Sequence, residues 1–164
     1  MTETTGGLTT AGLAEQAADL RLPHFSPLDA IELGLMATRR AIAEQMPIII
    51  EIRMEGRILY RAALPGSKQD SEGWIDRKAR VVESFGVSSL QARVQYEEQG
   101  TNFHDATGLS DQEYAPHGGG HPIEVLGASG APAAMVGGIY ASGLPQVQDH
   151  EFITSCLMEF KGIV

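Results

Sequence analysis

The chain has one cysteine, no long apolar run and no excess of basic residues, and each absence narrows what it can be. A lone Cys156 excludes an intrachain disulfide and fits a reducing, cytoplasmic setting. Its place in an amphipathic helical pattern predicts an inert buried thiol. Lys and Arg number 12 against 21 Asp and Glu, giving a net charge of −9. The only local basic feature singled out, Arg39-Arg40, is a pair and not a stripe. Phosphate binding needs clustered Lys and Arg, so no nucleic-acid partner is expected, nor an anionic membrane surface. The longest apolar run, 47–50, is strand-sized, so no membrane span is expected. Residues 1–7 carry neither a basic segment nor an apolar one, so they read as a flexible tail and not as a secretory signal. No internal repeat or low-complexity stretch is visible, and residues 8–164 read as a single domain.

What is present is a clear alternation of elements. A short Ala-rich helix is expected over 8–21, stopped by Pro23. Ser26-Pro27-Leu28-Asp29 is a helix start, with Ser26 as cap, Pro27 at the first helical position and Asp29 as the capping-box acid. Leu28, Ile31, Leu35 and Ile42 follow with a helical period that ends before Pro47. Residues 48–53 and 57–62 form a β-hairpin about a Met54-Glu55-Gly56 turn. A helix over 71–85 puts Trp74, Lys78, Val81, Val82 and Phe85 on one face. Ser88 caps another helix reaching about residue 99. Residues 100–118 read as polar and irregular. Strands near 121–126 and 133–141 form a second hairpin, and a last helix covers 146–160. Two hairpins with helices between them favour an α+β fold, an antiparallel sheet flanked by helices. The edges of so small a sheet are commonly covered by oligomerisation.

The candidate chemistry lies in the last third. His117-Gly118-Gly119-Gly120-His121-Pro122 is followed by Ser142-Gly143-Leu144-Pro145 and then Asp149-His150. The glycines permit close backbone approach. His117 and His121 are candidate catalytic residues; Lys78, Gly118, Gly119, Pro122, Ser142, Gly143 and Asp149 are candidate ligand-binding residues. A zinc or iron ion held by His117, His121 and His150, with Asp149 beside them, is the alternative. Against both stands a purely structural reading, in which the glycines make a turn and the histidines bond to nearby backbone. Lys78 lies on an apolar helix face, where an unpaired charge is costly. It snorkels, pairs with a carboxylate, or meets an anionic ligand. His-Gly-Gly-Gly also looks like a lipase oxyanion loop, but no Gly-x-Ser-x-Gly elbow accompanies it.

Taken in order, Trp74, Lys78, Phe85, Ser88-Ser89, His117-Gly118-Gly119, Pro122-Ile123, Ser142-Gly143-Leu144-Pro145 and Asp149-His150 resemble the haem-degrading domain family. That family includes GlcG-like proteins and the C-terminal domain of PduO-type cobalamin adenosyltransferases, and this chain is most similar to its small stand-alone branch. The resemblance implies a profilin-like α/β sandwich, a homo-oligomer, and a haem-binding or haem-degrading role. His121 departs from the pattern, which usually carries an aromatic or apolar residue before the proline. No Cys-x-x-Cys-His occurs, so covalent haem attachment is excluded. Three readings follow: a haem or related small-ligand binder able to degrade haem, a metal-assisted enzyme on a small organic acid, and a non-catalytic oligomeric scaffold.

Overall fold

In the computed structural model, which describes residues 5–164, ten elements follow in order. They are α1 (Thr10–Asp19), α2 (Pro27–Ala43), β1 (Ile49–Met54), β2 (Arg57–Ala63), α3 (Asp70–Phe85), α4 (Ser89–Glu97), α5 (Phe103–Thr107), β3 (Gly120–Val125), β4 (Ala134–Ser142) and α6 (Gln146–Lys161). The two hairpins join through β1 and β4 into one antiparallel sheet of order β2-β1-β4-β3. Alternation along the strands sorts the core into two layers. Ile50, Ile52 and Met54 face one way, with Leu33 and Ala37 of α2 and Ile153 and Phe160 of α6. Ile49 faces the other way, with Tyr140 and with Ile75, Ala79 and Val82 of α3. Helices therefore cover both faces, in the α+β arrangement the two-hairpin pattern predicts.

The start of α2 forms as its residues dictate. The Ser26 side chain accepts from the Asp29 N–H, and the Asp29 carboxylate accepts from the Ser26 N–H. The buried face of α2 is not the stripe of Leu28, Leu35 and Ile42. Leu28, Leu35 and Ile42 are 66%, 42% and 57% exposed, while Ala30, Leu33, Gly34, Ala37 and Ala41 are buried. The reason is distance from the sheet. A Cβ on Gly34 would stand 2.3 Å from the Tyr60 ring, so at that point the helix lies too close to the sheet for any side chain. Apart from Leu33, the residues that go inward are small, and Leu28, Leu35 and Ile42 stay outside.

Helix α5 falls in the stretch expected to be irregular. Asn102 caps it by accepting from the Asp105 N–H, and Phe103 is buried beside Phe85, Tyr96 and Tyr114. Five residues are too few to show a helical period in sequence. On the outer side of β3, Leu22 makes a bridge to Val125, donating to the Glu124 carbonyl at 2.9 Å and accepting from the Leu126 N–H at 2.9 Å. That contact covers one sheet edge; β2 forms the other. Residues 1–4 of the expected tail lie outside the described residues. Thr5 is buried, and its carbonyl accepts from the Leu8 N–H. Cys156 is buried as expected, with burial pushing its thiol up to about 12.

Candidate functional site

At one end of the sheet, α3, His117 and the β4–α6 turn enclose an open cleft of about 570 Å³, which Gly118 and Gly119 do not line. Trp74, Lys78, His117, Ser142, Leu144 and Asp149 are among the residues lining it. Trp74 and Lys78 reach it because they sit one helical turn apart on α3. Asp149 reaches it from the first turn of α6, and Ser142 from the last residue of β4.

Lys78 does not snorkel. Its side chain is 3% exposed, and its ammonium donates to the Ala141 carbonyl at 3.0 Å and to Oδ2 of Asp149 at 3.3 Å. The other Asp149 oxygen accepts from the Leu144 N–H at 3.2 Å, tying the turn to the helix that follows it. Burial raises the Asp149 carboxyl to about 6, against the opposing pull of Lys78 and the Leu144 and Gly143 N–H groups. Burial likewise pulls Lys78 down, with Asp149 acting against it. A buried pair of this kind is costly to break, because either partner alone is an uncompensated charge.

Gly119 makes the pair possible. It holds φ +124, and a Cβ there would lie 2.4 Å from the Ala141 oxygen and 2.6 Å from Nζ of Lys78. His117 packs edge-on against Trp74, with ring centroids 5.1 Å apart, and the Arg77 guanidinium sits 4.3 Å from the Trp74 ring centre. Nδ1 of His117 faces Nη1 of Arg93 at 3.5 Å. Burial, then the positive charges of Arg93, Lys78 and Arg77, push His117 down to about 4. The ring is therefore neutral near pH 7.

The sequence grouped three histidines; the fold places only His117 on the cleft. His121 lies within β3, buried, and its Nδ1 donates to the Pro122 carbonyl at 2.8 Å. His150 is buried on α6, with Nε2 2.8 Å from Oε1 of Gln16. Their rings stand 6.1 Å apart. Burial holds them down, His121 to about 4 and His150 to about 3. Neither lines the cleft where His117 sits. The cause is strand alternation: His121 shares its face of the sheet with Ile123, toward α6, whereas His117 precedes the strand. The expected metal set of His117, His121 and His150 thus finds no common point among the described residues, and of the two candidate catalytic histidines only His117 lines the cleft. Among the described residues no group of three or more His, Cys, Asp and Glu converges on one point. Pro122 also lies away from the cleft, in β3 opposite Gly138.

Arg93 and Gln146 belong to the neighbourhood of the cleft although the sequence did not single them out. Gln146 accepts the Gly118 N–H through Oε1 at 2.9 Å, and Arg93 orders His117 while pairing with Glu97 one turn on. A polar residue at a helix start and an i,i+4 ion pair are both too common to flag a site.

The family model described as haem degrading protein HbpS-like matches residues 25–157. A UPF0303 protein of Streptomyces avermitilis is 41% identical over 160 residues, which are 98% of this chain and 95% of that relative. Among solved structures, the Ybr137w protein superposes with a TM-score of 0.83 at 27% identity, covering 99% of this chain and 93% of its own. A PduOC:haem complex superposes with a TM-score of 0.65 at 20% identity, over 83% of this chain and 94% of its own, a likeness of fold.

Proposed function

The chain belongs to the HbpS-like haem degrading protein family, and on that premise we propose that it is a cytoplasmic homo-oligomer that binds haem or a related flat, carboxylate-bearing ligand in the Trp74–Lys78–His117–Asp149 cleft. The observation that carries this is the buried Lys78–Asp149 pair set into the wall of an open cleft. Charged groups are rarely buried without a task or a partner, and here the partnered charge faces a space large enough for a small molecule.

The residues present fit part of the group. Trp74 and Leu144 offer an apolar wall for a ring, and Lys68 and Lys78 offer cations for propionates. When bound, haem supplies an iron whose reactivity is set by its axial ligand and surrounding polarity. Degradation of the ring rests on the family's description alone, and would be read as loss of the Soret band in the presence of a reductant and oxygen. The homo-oligomer is supported by Leu28, Leu35 and Ile42, which form an exposed apolar stripe at intervals of seven on α2.

Trp74 is the only tryptophan, so its fluorescence reports on the cleft specifically. Hemin titration is expected to give a saturable Soret change at about one equivalent per chain, with parallel quenching of Trp74. No saturable change, or a change without quenching, would remove haem from this cleft.

A further inference from the structure

The weak point of a haem fit is the iron. A histidine that ligates a metal usually donates its second ring N–H to a carboxylate or carbonyl, which leaves a lone pair for the metal. His117 has the opposite arrangement. Its Nδ1 faces Nη1 of Arg93, and a guanidinium only donates, so Nδ1 is the accepting nitrogen. The neutral ring then carries its proton on Nε2. Turning the tautomer to free Nε2 would set Nδ1–H against an Arg N–H. His117 is therefore built to offer the cleft a donor.

Lys78 offers a second one. An ammonium has three N–H donors, and two are spent on Ala141 and Asp149. The third has no hydrogen-bond partner among the described residues. A carboxylate accepting it would share Lys78 with Asp149, and two carboxylates on one cation do not both stay ionised readily. Asp149, already raised by burial, is the one placed to take the proton. Besides the pair itself, the charged groups around this point are Asp70 and Arg77 from α3, Lys68 from the loop before it, and Arg93 with its partner Glu97 from α4; His117 from the glycine loop stands neutral among them. Three cations, Lys68, Arg77 and Arg93, stand against Asp70 and Glu97, and Glu97 is taken up by Arg93, so the surroundings favour an incoming anion.

We infer that the cleft recognises its ligand by an acid group and not through iron: a ligand carboxylate takes the third N–H of Lys78 and the Nε2–H of His117, and its arrival drives a proton onto Asp149. No bond is made or broken beyond that proton transfer, which draws on solvent. This deepens the ligand-binding reading above and rests on the cleft being the binding site.

The test uses four probes, each followed by Trp74 quenching: hemin, metal-free protoporphyrin IX, hemin dimethyl ester and 1-naphthoate. Protoporphyrin IX is expected to bind within a few-fold of hemin, and the ester at least about tenfold more weakly. Calorimetry near pH 7 in buffers of different ionisation heat is expected to show uptake of about one proton per carboxylate ligand. Asp149→Asn keeps an acceptor for the Leu144 N–H; it should still bind carboxylates but lose the proton uptake. His117→Ala should weaken binding of all the acids and leave the Soret position of bound hemin unchanged. If hemin binds but the ester binds as well, or no proton is taken up, or the Soret shifts in His117→Ala, the carboxylate inference is overturned and the haem reading survives. If protoporphyrin IX and naphthoate bind with proton uptake while hemin does not, haem is the wrong ligand and the inference stands. Quenching by none of the four overturns both. Circular dichroism of each variant separates loss of binding from loss of fold.

Discussion

Gly119 and Lys78 occupy the same few ångströms, and this fixes what residue 119 can be. A side chain there meets both a strained φ and the Lys78 ammonium. Gly119→Ala is therefore expected to lower stability by about 1–3 kcal/mol and to push Lys78 away from Asp149. Urea denaturation reads the first effect and loss of Trp74 quenching by ligand the second. An alanine variant of full stability and full binding would show that the loop does not hold Lys78 in place. Lys78 itself was legible as a question. Its position on an apolar face demanded a partner, and the sequence could name snorkelling, a carboxylate or a ligand without choosing. Choosing required Asp149, which is 71 residues away along the chain.

At the scale of elements, local signals did well where they were complete within a few residues. The capping box of α2 is such a signal, and Ser26→Ala is expected to cost about 1 kcal/mol, lowering the melting temperature by about 2–4 °C. A melting curve indistinguishable from the parent would mean that the box contributes nothing here. The inward face of α2 was not legible, for the opposite reason. Leu28, Ile31, Leu35 and Ile42 satisfy a helical period, but so do Ala30, Leu33, Gly34, Ala37 and Ala41, and periodicity cannot say which stripe meets the sheet. Only the approach of Gly34 to Tyr60 decides it. The outward stripe then needs its own explanation. If a second copy covers it, Leu35→Glu buries a charge in that contact and should reduce the particle mass in light scattering. An unchanged mass would place the subunit contact elsewhere.

For the whole molecule, three buried or half-buried histidines act in the same direction. His117, His121 and His150 are held at about 4, about 4 and about 3. In the unfolded chain each titrates near 6.5, so below that pH the unfolded state binds protons that the native state refuses. Stability present above about pH 6.5 is therefore lost as the pH falls toward 4. Asp149, raised to about 6, works the other way: its contribution grows as the pH falls from about 6 toward 4. One group against three leaves a net acid loss, and fully buried His121 alone accounts for on the order of 3 kcal/mol of it. Urea midpoints should drop steeply between about pH 7 and about pH 4.5, and His121→Phe should flatten that limb. A limb just as steep in the variant would acquit His121.

The amino-acid sequence by itself determined the capped starts of α2 and α4, the two hairpins, the thiol's burial and the set of polar residues near the glycines. Each of these depends on neighbours within one or two turns or on side-chain polarity, and both are written locally. It could not determine which of the histidines share a place. A loop residue and a strand residue four positions apart can face opposite sides of a sheet, and here His117 enters the cleft while His121 turns toward α6. Nor could it show Arg93 behind His117, which sets the proton on that ring, or Asp149 beside Lys78. These pairings join residues distant along the chain. They exist only because packing the helices on both faces of the sheet brings α3, α4 and the start of α6 to one end of it.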